Sequence, residues 1–110
     1  MNKYSDKSDF EINKEVVKLI KTKGGYSCVD YDEIVKVYVS QNTGIYKEFD
    51  PCNNPADAMP IINEYGISLM YKEREFQVAT NDGNYYCCMS NPLKAAMVIF
   101  LMMKDAENES

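Results

Sequence analysis

The sequence predicts an α+β fold, in which a small antiparallel sheet of two hairpin-like units packs against a buried C-terminal helix and an N-terminal helix. Three observations predict it. An apolar run at residues 95–103 follows an Asn-Pro pair at 91–92, and a helix that is apolar nearly all round must be buried on more than one side, either by its own sheet or by a partner chain. Short β-branched and aromatic segments alternate with turn residues. An amphipathic stretch near the N-terminus carries its own start and stop signals.

The N-terminal half is predicted to hold one helix and one hairpin. Ser8 and Glu11 have the spacing of a capping box, and apolar residues recur at helical spacing towards Gly24, so we expect a helix over residues 9–22. Residues 26–33 have no clear pattern and receive no assignment. Two strands are then expected at 34–39 and 45–49, joined by a turn at 41–44.

A second Asn-Pro start predicts the middle helix. Asn53 or Asn54 is expected to cap it, with Pro55 at the first helical position. Pro60 removes a backbone hydrogen bond inside this helix and favours a kink. We therefore expect two short helical turns at an angle, at residues 54–59 and 60–65, ended by the glycine that follows.

The C-terminal half is predicted to hold strands and the buried helix. Strands are expected at residues 67–71, 76–80 and 85–89, and the Asp-Gly pair at 82–83 predicts the turn between the last two. The final helix is expected over residues 92–104. Residues 1–7 and 105–110 are expected to fray, as chain ends often do.

Size and charge limit the classes of function. A chain of 110 residues predicts a single domain covering residues 1–110. The net charge of −5 argues against a nucleic-acid binder, which needs a basic surface. No segment approaches the roughly 20 apolar residues that span a bilayer, and the N-terminus has no apolar signal-peptide core. We therefore expect a cytoplasmic protein with no membrane partner.

The residue types give no support for catalysis. The chain contains no His, the commonest general base and metal ligand, and it shows no nucleophile or phosphate-loop motif. Its four cysteines, Cys28, Cys52, Cys87 and Cys88, lack the spacing of a metal site and are expected to be free thiols. The sequence therefore predicts a protein that is not an enzyme and that has no metal and no cofactor.

Three segments together resemble a known family. They are SDFEIN at residues 8–13, CNNPADAMPII at 52–62 and NPLKAAM at 91–97. In this order they are similar to the NinX-like proteins of lambdoid phages and prophages, and the resemblance spans nearly the whole chain. It implies a small phage or prophage accessory protein that acts in the infected bacterial host, in a family without an assigned biochemical function.

Both Asn-Pro helix starts are candidates for one ligand site. Helix starts present backbone N–H groups and a positive dipole end, which favour phosphate. Side-chain donors, an arginine and stacking tyrosines are expected to complete a single concave site, either within one chain or together with a second subunit. The predicted binding residues are Asn53, Asn54, Asn91, Arg74, Tyr46, Tyr85 and Tyr86. The alternative is that each Asn only caps its helix, the arginine is a solvated loop charge and the tyrosines fill strands.

Two functions of different classes follow. In the first, the chain is a homo-oligomeric sponge that binds and sequesters a small phosphorylated nucleotide-type immune signal, which blunts anti-phage defence. In the second, it is a protein–protein adaptor or inhibitor that docks on a host or phage protein. A closed oligomer with a polar pocket favours the first, and an exposed flat apolar patch favours the second.

Overall fold

The computed structural model describes residues 3, 4 and 6–109, and within them helices alternate with short antiparallel strands. The elements are α1 Asp9–Leu19, β1 Tyr26–Val29, β2 Ile34–Tyr38, β3 Tyr46–Glu48, α2 Pro55–Tyr65, β4 Ser68–Lys72, β5 Glu75–Asn81, β6 Tyr85–Cys87 and α3 Pro92–Glu109. This arrangement confirms the predicted α+β fold with an N-terminal and a C-terminal helix.

The strands form two sheets of three strands each within the described residues. Sheet A has the order β1-β2-β3 and sheet B the order β4-β5-β6, and every pairing is antiparallel. Sheet B has the three strands that the sequence predicts, whereas sheet A gains one strand. In sheet A the extra strand is β1, which pairs with β2 through a register that places Cys28 opposite Val35.

Gly24 allows the chain to enter sheet A. A Cβ atom at this position would lie 2.7 Å from backbone atoms of Tyr38 and Ser40, closer than real side chains approach backbone. Next to it, the Tyr38 amide donates to the Gly25 carbonyl at 3.0 Å. The glycine is therefore needed for a close approach of two backbone segments, rather than for the helix end that the sequence suggested.

α3 lies at the centre of the molecule. Every residue at positions 95–101 is buried, and Phe100 is the largest of them. One side of the helix packs on sheet B, where Leu69, Ala79 and Cys87 share a cross-strand row. The other side packs on α1 and α2. Burial on two sides is what a helix with apolar residues all round requires.

The three helices run in the same general direction. Lys94 at the start of α3 forms a salt bridge with Asp9 at the start of α1. At the other end, the Tyr65 ring in the last turn of α2 packs edge-on against Phe100, with ring centroids 4.9 Å apart. The helix starts therefore meet at one end of the molecule.

Several element boundaries differ from the predicted ones. α1 ends at Leu19, with Ile20 as an extended C-cap, rather than at residue 22. α2 is one continuous helix through Pro60, so the expectation of two angled turns is wrong. Pro60 has no backbone N–H to donate to the Ala56 carbonyl. Both residues are exposed, so water can satisfy that carbonyl. Gly66 ends α2 with a left-handed φ of 65°, as expected.

The C-terminal helix is longer than predicted. α3 continues to Glu109, beyond the expected end at residue 104. Asp105 accepts a hydrogen bond from the Tyr4 hydroxyl and a salt bridge from Lys3, which tie this part of the helix to the N-terminal segment. The fraying expected at 1–7 and 105–110 stays a prediction, and residues 1, 2, 5 and 110 lie outside the described residues. The bounds of the predicted strands differ from the observed ones by one or two residues.

Replacing the Phe100 side chain tests the central position of α3. Phe100→Ala is expected to lower the free energy of unfolding by about 3–5 kcal/mol, because it leaves a cavity where α2 and α3 meet. Chemical denaturation measures this change. Tyr31→Ala is the control, since Tyr31 is 88% exposed, and it should change stability by less than about 0.5 kcal/mol. Equal effects of the two substitutions would contradict the packing described.

Candidate functional site

The residues predicted to bind a ligand lie in four parts of the fold. Asn53, Asn54 and Asn91 lie at the starts of α2 and α3. Arg74 lies in the turn between β4 and β5, and Tyr46 lies on β3 of sheet A. Tyr85 and Tyr86 lie on β6 of sheet B. The structure thus brings the three asparagines together, whereas the other four residues belong to different sheets and turns.

Asn91 joins the two Asn-Pro helix starts. Its Oδ1 accepts from the backbone amides of Leu93 and Lys94, at 3.0 and 3.3 Å, which is the geometry of an N-cap. Its Nδ2 donates to the Cys52 carbonyl at 2.7 Å and to Asn53 Oδ1 at 3.2 Å. The starts of α2 and α3 are therefore side by side, held by one side chain.

Asn53 extends this contact to the first helix. Its Nδ2 donates to Asp9 Oδ2 at 2.9 Å and to both carboxylate oxygens of Asp50 at 3.2 Å. The Asn53 hydrogen bond, followed by the Lys94 ammonium, lowers the pKa of Asp9 below its ordinary value of 3.8. The stability that this carboxylate contributes is thus present above pH 3.8 and is lost as the pH falls through the lower folded pKa.

Protein groups occupy the donors at these helix starts. Asn54 Oδ1 accepts from the Ala56 amide at 3.0 Å. The buried Asp57 carboxylate accepts from the Asp50 amide at 2.9 Å. Carboxylates are favourable at the positive ends of helices, so Asp9, Asp50 and Asp57 supply the negative charge that a bound phosphate was expected to supply. Ligand binding by the three asparagines stays a prediction.

The Cys52 backbone and thiol lie inside the same network. The Cys52 amide donates to Asn13 Oδ1 at 3.2 Å, and Asn13 Nδ2 donates to Asp50 Oδ1 at 2.8 Å. Burial, followed by the charges of Asp9 and Asp50, raises the pKa of the Cys52 thiol to about 12. Burial also raises the pKa of Cys87 to about 11. All four cysteines are free, as predicted, and these two are protonated at neutral pH and unsuited to nucleophilic attack.

The remaining predicted residues have ordinary surroundings. Arg74 is exposed in a turn and has a φ of 73°. The Tyr46 ring packs edge-on against Tyr38 and lies 4.3 Å from the Lys36 ammonium. Tyr85 packs against the core, while Tyr86 is 59% exposed on the outer face of sheet B. Their role in ligand binding also stays a prediction.

A groove of about 700 Å³ lies between sheet A and α2. Its apolar lining includes Val37 from β2, Phe49 after β3, and Ile61 from α2. Leu19 and Ile20 at the end of α1 and Lys104 of α3 also line it. This volume is in the range of small-molecule sites, which are about 300–1,000 Å³ and mostly apolar with a few polar groups.

Positive charge is concentrated around this groove. Lys21 and Lys23 follow α1, while Lys47 comes from β3 and Lys104 from α3. The acidic residues that line the groove are Asp57 and Glu64, although the chain as a whole has a net charge of −5. Basic residues that are far apart in sequence therefore meet at one concave surface.

Lys47 is oriented by a buried carboxylate. Its Nζ lies 3.1 Å from Asp57 Oδ1, and the Lys47 side chain is 63% exposed while the Asp57 side chain is 1% exposed. Because an ammonium group has three donors, this contact leaves Lys47 able to bind an anion in the groove. Asp57 therefore positions the Lys47 ammonium and leaves it accessible to solvent.

Lys104 is oriented by an aromatic ring. Its Nζ lies 4.8 Å from the centre of the Tyr65 ring and 3.2 Å from a Glu107 carboxylate oxygen. The hydrogen bond with Tyr65, followed by the one with Glu107, raises the pKa of Lys104 above its ordinary value. The Lys104 ammonium therefore remains charged throughout the physiological pH range.

A second, smaller cleft of about 200 Å³ is acidic. Asp9, Glu33, Glu48 and Asp50 are among the residues that line it. No group of three or more His, Cys, Asp or Glu residues is arranged to hold a metal ion in the part of the chain that the structure describes. Of the helices described, none has the length and apolar character needed to cross a membrane.

Comparison with known protein families gives a match over most of the chain. The family described as Bacteriophage P22, NinX matches residues 3–104, which is nearly the whole chain. No curated protein and no solved structure matches the chain.

Removing the Asn91 side chain tests the network at the helix starts. Asn91→Ala is expected to lower the free energy of unfolding by about 2–4 kcal/mol, because it removes a cap and leaves the Cys52 carbonyl without its donor. Asn54→Ala removes only a cap and should cost about 0.5–2 kcal/mol. Asn63→Ala, on the exposed side of α2, is the neutral control. Equal losses for Asn91 and Asn54 in urea titrations would show that Asn91 acts only as a cap.

Proposed function

The chain belongs to the family described as Bacteriophage P22, NinX, and on that premise we propose that it is a non-enzymatic phage accessory protein that sequesters a small phosphorylated ligand. The proposed ligand is a nucleotide-type immune signal of the infected host, and the proposed site is the groove between sheet A and α2. Holding such a signal would blunt the defence that depends on it.

The observation that carries this proposal is the convergence of four lysines on one groove in an acidic protein. Scattered surface lysines would produce no local potential that could overcome a net charge of −5. Lysines from three segments, over an apolar lining, instead form a surface that matches a phosphate attached to an apolar or aromatic group. The Tyr65 ring, which lines the groove beside Lys104, supports contact with a base.

The groove is formed within one chain. Its lining residues come from sheet A, α2, the end of α1 and Lys104 of α3. The homo-oligomer predicted from the sequence stays a prediction.

The adaptor alternative has one supporting observation. Met70 and Tyr86, which are 51% and 59% exposed, lie on the outer face of sheet B, outside the groove. Exposed apolar side chains on one face of a sheet are typical of protein contact surfaces. A ligand-binding experiment separates the two functions, because the adaptor has no need of the groove lysines.

Neutralising the groove lysines tests the proposed function. Isothermal titration with a cyclic dinucleotide and with ADP-ribose is expected to show binding to the unmodified protein, and adenosine is expected to bind weakly. Lys47→Gln and Lys104→Gln should each weaken binding roughly 10-fold or more, because each removes a charge-assisted contact with phosphate. Lys72→Gln, at an exposed position on β4, is the matched control and should leave binding unchanged.

Glu64→Gln is expected to strengthen phosphate binding, whereas the lysine substitutions weaken it. Glu64 is an exposed acid at the groove, and its removal should strengthen phosphate binding by about 2–5-fold at low salt. If no tested nucleotide binds, or if the lysine variants bind as the unmodified protein does, the groove is not a phosphate site.

A further inference from the structure

Lys47 and Lys104 mark opposite ends of the groove. Lys47 contacts Asp57 in the first turn of α2, and Lys104 contacts Tyr65 in its last turn. Because an α-helix rises 1.5 Å per residue, positions 57 and 65 are roughly 12 Å apart along the helix axis. The two ammonium groups are therefore held near points that are separated by most of the length of α2.

The middle of the wall between these two ends is apolar, and Glu64 lies on the same wall close to its Tyr65 end. Asp57, Ile61 and Tyr65 follow one another at i, i+4 spacing and so lie on one face of α2. Ile61 and its neighbour Pro60 form the middle of that face, and Phe49 lines the groove with them. A line along the groove thus passes from Lys47, across the apolar side chains of Pro60 and Ile61, to Lys104 at the end where Glu64 also lies.

A compact anion cannot use both ends. A single phosphate, or two phosphates joined directly as in a pyrophosphate, reaches one lysine and leaves the other unused. From this geometry we infer that the groove takes an elongated ligand with two phosphate-type groups about 12 Å apart, joined by an apolar or aromatic middle. This inference rests on the proposed function and narrows its ligand class.

The two lysines are prepared in ways that suit this role. At one end, the buried Asp57 carboxylate holds Lys47 while leaving it 63% exposed. At the other end, the Tyr65 ring supports Lys104, whose side chain is 22% exposed, while its partner Glu107 has a side chain that is 64% exposed. An incoming phosphate can replace that exposed carboxylate without leaving a buried charge unpaired. Each end is thus pre-organised for one anionic group.

Rigid bisphosphates of different length test the inference. The probes are hydroquinone bisphosphate, para,para-biphenol bisphosphate, and the biphenyl monophosphate with the same two rings. In isothermal titration, the longer bisphosphate is expected to bind about 10-fold more tightly than the shorter one and than the monophosphate, because only it engages both lysines. Lys47→Gln and Lys104→Gln should each reduce its affinity to that of the monophosphate, and Lys72→Gln should have no effect.

The outcomes separate this inference from the proposed function. If the three probes bind equally and both groove variants weaken all of them, the groove is a phosphate site without a length preference, and the inference is overturned while the proposed function stands. If no probe and no nucleotide binds, both are overturned. Thermal melting of each variant with a cooperative transition near that of the unmodified protein confirms that lost affinity does not reflect unfolding.

Discussion

The burial of α3 on two sides is the constraint on which the rest of the structure depends. Its central residues, positions 95–101, are all removed from water, so one side must be covered by sheet B and the other by α1 and α2. Burying large side chains contributes the main favourable free energy of folding, and here one helix supplies much of it. Sheet B, α1 and α2 therefore take positions that cover the apolar surface of α3.

Parallel packing of the three helices has two consequences at opposite ends of the molecule. At the helix starts, side-chain oxygens of the chain itself accept from the backbone N–H groups. The Asn91 and Asn53 side chains also link neighbouring helices. This network fixes the start of α2, and Asp57 in its first turn orients Lys47. The polar network that holds the helices together thus also prepares one end of the groove, and contact between Tyr65 and α3 prepares the other.

Local signals explain which parts of this structure the sequence could predict. Capping and apolar periodicity located the starts of the helices and the burial of α3, since those signals lie within a few neighbouring residues. β1 was missed because it is a partly exposed strand with no alternating pattern, and the continuity of α2 was missed because the exposure of Ala56 and Pro60 is set by the fold. The closeness of the two Asn-Pro starts was expected. The groove was not, because Lys47 and Lys104 are far apart in sequence and each resembles an ordinary surface charge until tertiary packing brings them to one surface.

The central claim is that anions bind between sheet A and α2 rather than at the helix starts. Backbone amide NMR spectra recorded during titration with a cyclic dinucleotide test this claim most directly, because they report every region of the chain at once. We predict that the largest shifts will occur at Lys47, Ile61, Tyr65 and Lys104, with small shifts at Asn53 and Asn91. Shifts concentrated at Asn53 and Asn91, with the groove resonances unchanged, would contradict the account.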